Sequence, residues 1–131
     1  MRIRALTGFL DPGWPIDPSR IERVTGVLKK SRDRLGEIGY EVQTLRLATP
    51  PPSRMAQPIP ASDRPEAARI LEAECFLHGI DYAVIGPALP GEPEGYPIAV
   101  EILAAAENVF TSGVFATAEG GISLKAARAC G

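Results

Sequence analysis

Residues 2–49, RIRALTGFLDPGWPIDPSRIERVTGVLKKSRDRLGEIGYEVQTLRLAT, hold a complete strand–helix–strand unit, and its reading decides the fold class. Arg2 to Leu10 and Tyr40 to Thr49 are rich in apolar and β-tolerant side chains, so each end of the stretch reads as a strand. Between them, Asp17 offers an N-cap acceptor, and Pro18 supplies a ring suited to the first helical turn. Ile21, Val24, Leu28, Leu35 and Ile38 then recur at helical spacing, with Arg20, Arg23, Lys29, Lys30, Arg32 and Arg34 largely on the other side. Gly39 stops the helix where a left-handed residue is wanted. The basic stripe is broken by Glu22, Asp33 and Glu37 and reads as a solvated face.

The same alternation continues outward. Pro50 to Ser62 reads as a proline-rich, extended surface loop. Asp63, with Pro65 and Glu66 behind it, has the spacing of a capping box. The helix it opens carries Ala67, Ile70, Leu71, Cys75 and Leu77 and ends at Gly79. Asp81 to Ile85 is a short third strand followed by a second proline loop, and Pro97 begins a third helix with Ile98, Val100, Ile102 and Leu103. Asn108 to Thr117 is expected to be a fourth strand, from which Glu119-Gly120-Gly121 leads into a fourth helix at Ser123.

The order β-α-β-α-β-α-β-α predicts a single α/β domain over residues 1–131, with four mainly parallel strands and right-handed crossovers. The strands are nearly continuous in apolar residues, so both sheet faces want cover. Three full helices are too few for that. The expectation is a sheet finished by more protein, in a homo-oligomer or with a complementing subunit.

Thirteen prolines and thirteen glycines in 131 residues would suit a disordered chain, but the prolines fall only in residues 11–18, 50–65 and 87–97, which marks them as connections. Fourteen basic and sixteen acidic residues give a net charge of −2 with no like-charge run, which argues against nucleic acid as a partner. No stretch has the length and apolarity of a membrane span, and Met1 to Thr7 has no secretory-leader pattern, so a cytoplasmic setting is expected. Cys75 and Cys130 lack metal-ligand spacing, and no metal or other cofactor is expected. His78, the only histidine, falls with Cys75 on one helix, where the spacing suits neighbours better than a nucleophile and its base.

In parallel sheets ligands gather at the strand C-terminal ends. The loop Thr117-Ala118-Glu119-Gly120-Gly121-Ile122-Ser123 is the leading candidate, because paired glycines admit close backbone approach and a helix start attracts anions. It has neither the GxGxxG nor the GxxxxGK pattern of a nucleotide loop, and Glu119 would repel a phosphate, so the other reading is a plain glycine-rich turn. Asp11 and Trp14, in the loop after the first strand, are further candidates: Trp14 either walls a pocket or plugs the end of the core. The ligand-binding candidates are therefore Asp11, Trp14, Thr117, Glu119, Gly120, Gly121 and Ser123, for a small polar or anionic metabolite. Arg4 and Arg46 stand in otherwise apolar strands, where they either face a polar interior and bind a carboxylate or lie at exposed positions. No Ser-His-Asp set, HExxH motif or carboxylate pair marks a catalytic centre.

Ile3-Arg4-Ala5-Leu6-Thr7, Gly79 to Gly86 (GIDYAVIG), Glu107 to Val114 (ENVFTSGV) and Gly121-Ile122-Ser123 form a series. In order and spacing it resembles the start of the domain-of-unknown-function 711 family, also called uncharacterised protein family 0210. The resemblance implies part of a ten-stranded α/β barrel of the pyruvate formate-lyase and anaerobic ribonucleotide reductase type, corresponding to the first portion of a longer protein. It brings no catalytic residue. Glycyl-radical chemistry needs cysteines at the barrel centre, whereas Cys75 and Cys130 are both expected on helices.

Overall fold

The computed structural model describes residues 1–130. Strand β1 spans Arg2–Phe9 and helix α1 Pro18–Glu37, with the Asp17 side chain accepting from the Ser19 N–H as the N-cap reading requires. Strand β2 is Glu41–Ala48, α2 is Arg64–His78, β3 is Tyr82–Val84 and α3 is Gly95–Ala105. Gly79 takes φ +63° at the end of α2, so the left-handed stop falls where the glycine predicted it.

Strands β1 to β4, the last being Val109–Phe110, form one parallel sheet in the order β1-β2-β3-β4. The α/β class and its four parallel strands therefore stand as read. The fourth strand does not have the predicted extent. After Phe110 the chain leaves the sheet, and Ala116–Thr117 (β5) pairs antiparallel with Gly121–Ile122 (β6) in a separate hairpin. A short helix, α4, follows at Leu124–Cys130.

Two further expectations are corrected. The proline-rich segment is not simply extended, since it makes 3-10 turns at Pro52–Arg54 and Ala61–Asp63 and buries Met55 and Ile59 beside Ala67. Asp63 precedes α2 but makes no side-chain cap. Its carboxylate accepts instead from Trp14 Nε1 at 3.2 Å and from the Ser62 hydroxyl at 2.8 Å. A tertiary partner has outcompeted the local one.

The core lies on one side of the sheet. Because strands alternate their side chains, the register puts Gly8, Leu47, Ala83 and Val109 in one row on the same face, and all four are buried. Leu45 and Ile85 share that face. They pack with Ile21 and Leu28 of α1, Ala68, Leu71 and Cys75 of α2, and Ile102 and Ala106 at the end of α3. Gly8 is required there, because a Cβ would collide with Val24 and press on Leu28. A sequential strand order with crossovers of one hand sends every connecting helix to the same side. On the opposite face, Ala5, Thr7 and Phe9, Thr44, Arg46 and Ala48, Tyr82 and Val84, and Phe110 include no fully buried residue.

Candidate functional site

The bare face is layered by the register. Its middle row is Thr7–Arg46–Tyr82, and the next row toward the C-terminal ends is Phe9–Ala48–Val84–Phe110. Arg46 lies on an inner strand and is half-buried. Its Nε donates to the Thr7 hydroxyl, and its Nη1 reaches the Tyr82 hydroxyl at 3.4 Å. Tyr82 in turn meets Phe110 edge-on, with ring centroids 5.5 Å apart. In the outer row two phenylalanines on the flanking strands bracket the smaller Ala48 and Val84. An open cleft of about 490 Å³ continues past that row, lined by Phe9, Leu10, Asp11, Ala48, Thr49 and Pro50.

The loops at these strand ends brace one another. Thr49 Oγ1 accepts from the Gly86 N–H at 3.2 Å, and Gly86 sits so close to the Pro50–Pro51 backbone that a side chain there would overlap it. Glu92, in the loop after β3, pairs with the buried Arg64 at 3.7 Å and accepts from the Ser53 hydroxyl. Arg64 also donates to the Ile59 carbonyl at 3.3 Å. Buried ion pairs of this kind fix geometry more surely than they add stability. Here one arginine ties the proline-rich loop to its neighbour.

The residues singled out from the sequence fall into two groups. In the first, Asp11 Oδ1 accepts from the Gly13 N–H at 2.9 Å and Oδ2 from the Ala56 N–H at 2.7 Å. Both oxygens thus hold backbone, and Asp11 still lines the cleft. Trp14 packs on Met55, Ile59 and Ala67, so it closes a satellite core. In the second group, Thr117 and Gly121 are paired in the hairpin, with Gly121 at φ +64°. Thr117 Oγ1 accepts from the Gly120 N–H at 2.9 Å, and Thr117, Glu119, Gly120 and Gly121 are all exposed. Ser123 Oγ caps α4 by accepting from the Ala126 N–H at 3.2 Å. Gly120 thus lies in a hairpin turn and Gly121 opens β6, so the pair does not lead straight from a parallel strand into a helix. Among the described residues, no hydrogen bond links the two groups.

Of the two strand arginines, Arg4 is exposed, and Arg46 is the one held by partners. Thr7 and Tyr82 escape a reading of the sequence because only the strand register makes them neighbours of Arg46. Arg64 and Glu92 escape it because their pairing joins the start of α2 to the loop after β3. Among the described residues, no three His, Cys, Asp or Glu side chains are grouped to hold a metal, and no helix is long and apolar enough to cross a membrane. Cys75 is 2% exposed, and burial, reinforced by Glu72 and Glu74, pushes its thiol up to about 12. It is an inert packed thiol, consistent with its place on the core side of α2.

A search of curated proteins found no match to this chain. The family model described as Uncharacterised ACR (DUF711) matches residues 1–131. With the match running the length of an α/β chain, the protein belongs to the DUF711 family.

Proposed function

We propose that this chain is an arc of a closed α/β barrel of the pyruvate formate-lyase type, and that its primary role is as a building block. In that reading the bare sheet face lines the barrel interior, further β/α units cover it, and the strand C-terminal ends form the rim of a site for a small polar or anionic molecule. The observation that carries it is the strand order β1-β2-β3-β4 with the main core on one face. Open doubly wound sheets reverse their strand order and carry helices on both faces. A closing sheet makes one-sided helices sufficient, because its inner face is then enclosed by its own curvature. The free side of β4 offers the edge that a next strand would take. Phe110 on β4, 49% exposed, supplies apolar surface to that junction. A cytoplasmic setting suits the two free thiols.

The test is the behaviour of the purified chain. Light scattering across a concentration series is expected to show association, and an apolar dye is expected to bind where association is incomplete. A monodisperse monomer that binds no dye and protects the β4 amides from exchange would overturn the reading.

A further inference from the structure

We propose that Arg46 is the recognition residue of a binding site for a small organic oxyanion, a carboxylate or phosphate carried on a flat apolar body. The site lies on the bare face of the sheet. The proposal deepens the barrel-arc reading and rests on it, since closure is what would enclose the site.

Arg2, Arg20, Arg32, Arg34, Arg64 and Arg69 each have a carboxylate within 4.0 Å. Arg46 has none among the described residues; Arg4, Arg23, Arg54 and Arg128 have none either, but they are exposed, whereas Arg46 is half-buried and fixed by two side chains. Both are neutral hydroxyls, which orient a guanidinium without neutralising it. No Asp or Glu shares the bare face with it at Ala5, Thr7, Phe9, Thr44, Ala48, Tyr82, Val84 or Phe110. The positive charge there stands alone, and enclosing it without a counter-charge would be costly.

Thr7 occupies the Nε side, and Tyr82 takes one N–H of Nη1. Nη2 makes neither of these bonds, so its two N–H groups, with the second N–H of Nη1, remain for a carboxylate or phosphate, which accepts from a guanidinium in bidentate fashion. One strand step outward, about 6.7 Å along the sheet, Ala48 and Val84 form the low floor of a trough walled by Phe9 and Phe110. An anion on Arg46 would extend an attached flat apolar group over Ala48 and Val84, toward the cleft beside Pro50.

The test is a titration of the chain with phenyl phosphate, benzoate and inorganic phosphate, following the Arg46 side-chain N–H resonance by NMR. Saturable movement of that resonance is expected, with at least one ring-bearing anion binding about tenfold tighter than inorganic phosphate. Whichever ring anion binds tighter names the oxyanion. Arg46→Met should abolish binding, and Arg46→Lys, which keeps the charge and loses the fork, should weaken it about tenfold. Circular dichroism on the same samples reads whether each variant is folded, and Thr7→Val gives a milder second variant that should weaken binding by releasing Nε. An unmoved Arg46 resonance, or a folded Arg46→Met chain that binds as the parent does, would overturn the site. So would binding lost through Gly121→Val with Ser123→Ala and kept in Arg46→Met. Light scattering on those samples separates the two readings. A dry monomer that binds through Arg46 sinks only the barrel arc, and an associating chain with an unmoved Arg46 sinks only the anion site.

Discussion

Leu47 and Ala48 are adjacent in β2 and live in different environments. Leu47 is fully enclosed beneath the helices, while Ala48 lies between exposed Phe9 and the strand bearing Val84 on the side that has none. The difference between the faces does not follow apolar content. Phe9 is as apolar as anything in the core and remains 78% exposed. It follows which side the crossovers take, and chain chirality decides that. The bare face also has a polar middle row, Thr7–Arg46–Tyr82, where the helix face packs the aliphatic Leu6, Leu45, Leu47, Ala83 and Val109. One face is built to exclude water. The other is built to hold a charge in position.

The contrast breaks if equal truncations on the two faces cost the same. Leu47→Ala is expected to lower unfolding stability by about 2–5 kcal/mol, whereas Phe9→Ala should change it by less than about 0.5 kcal/mol; urea denaturation of both variants gives the comparison. A large cost at Phe9 would mean that the face is already covered in solution. Gly8→Val, which forces a side chain between β1 and α1, should cost about 1–3 kcal/mol, and the same change at exposed Gly36 should show no packing penalty. Thiol reactivity sharpens the contrast further. At pH 8 a thiol reagent should label exposed Cys130 promptly and Cys75 only after denaturation, because the Cys75 thiol, pushed up to about 12, stays protonated in the folded chain.

The smallest effect is expected at the exposed start of α1. Hydrogen bonds from the Ser19 hydroxyl and backbone N–H, with Arg20 and Arg23 nearby, hold the Asp17 carboxyl below its ordinary 3.8. A depressed folded value means that the cap's contribution is present above the unfolded value and is lost as pH falls through the folded one. The parent chain should therefore lose slightly more stability than Asp17→Ala as pH drops below 4. Parallel pH titrations of the two unfolding midpoints check this.

Helix α1 was legible from end to end because its start and stop signals are local: Asp17 finds its acceptor role two residues on, and Gly39 lies just beyond the last turn. The reading of Asp63 as a cap failed because its carboxylate is claimed by Trp14, 49 residues earlier in the chain. The apolar run at 108–117 carried no sign of where pairing would end. Only Val109 and Phe110 stay in the sheet ladder, and Gly113 adds a single bridge to Ala88. Arg46 was visible as a misfit within an apolar strand. Its partners were not, because a partnership across strands depends on a register that no single strand encodes.

The sequential strand order also bears on how the chain acquires its shape. Each strand pairs with the next one along the chain, as in Ile3 with Val42, Leu47 with Ala83 and Ala83 with Val109. No strand of the parallel sheet waits for a partner from the far end of the sequence. During synthesis β2 can therefore dock on β1 as soon as it clears the ribosome, and every later strand finds its template already in place. Assembly then advances from one edge, and the growing edge is always the newest.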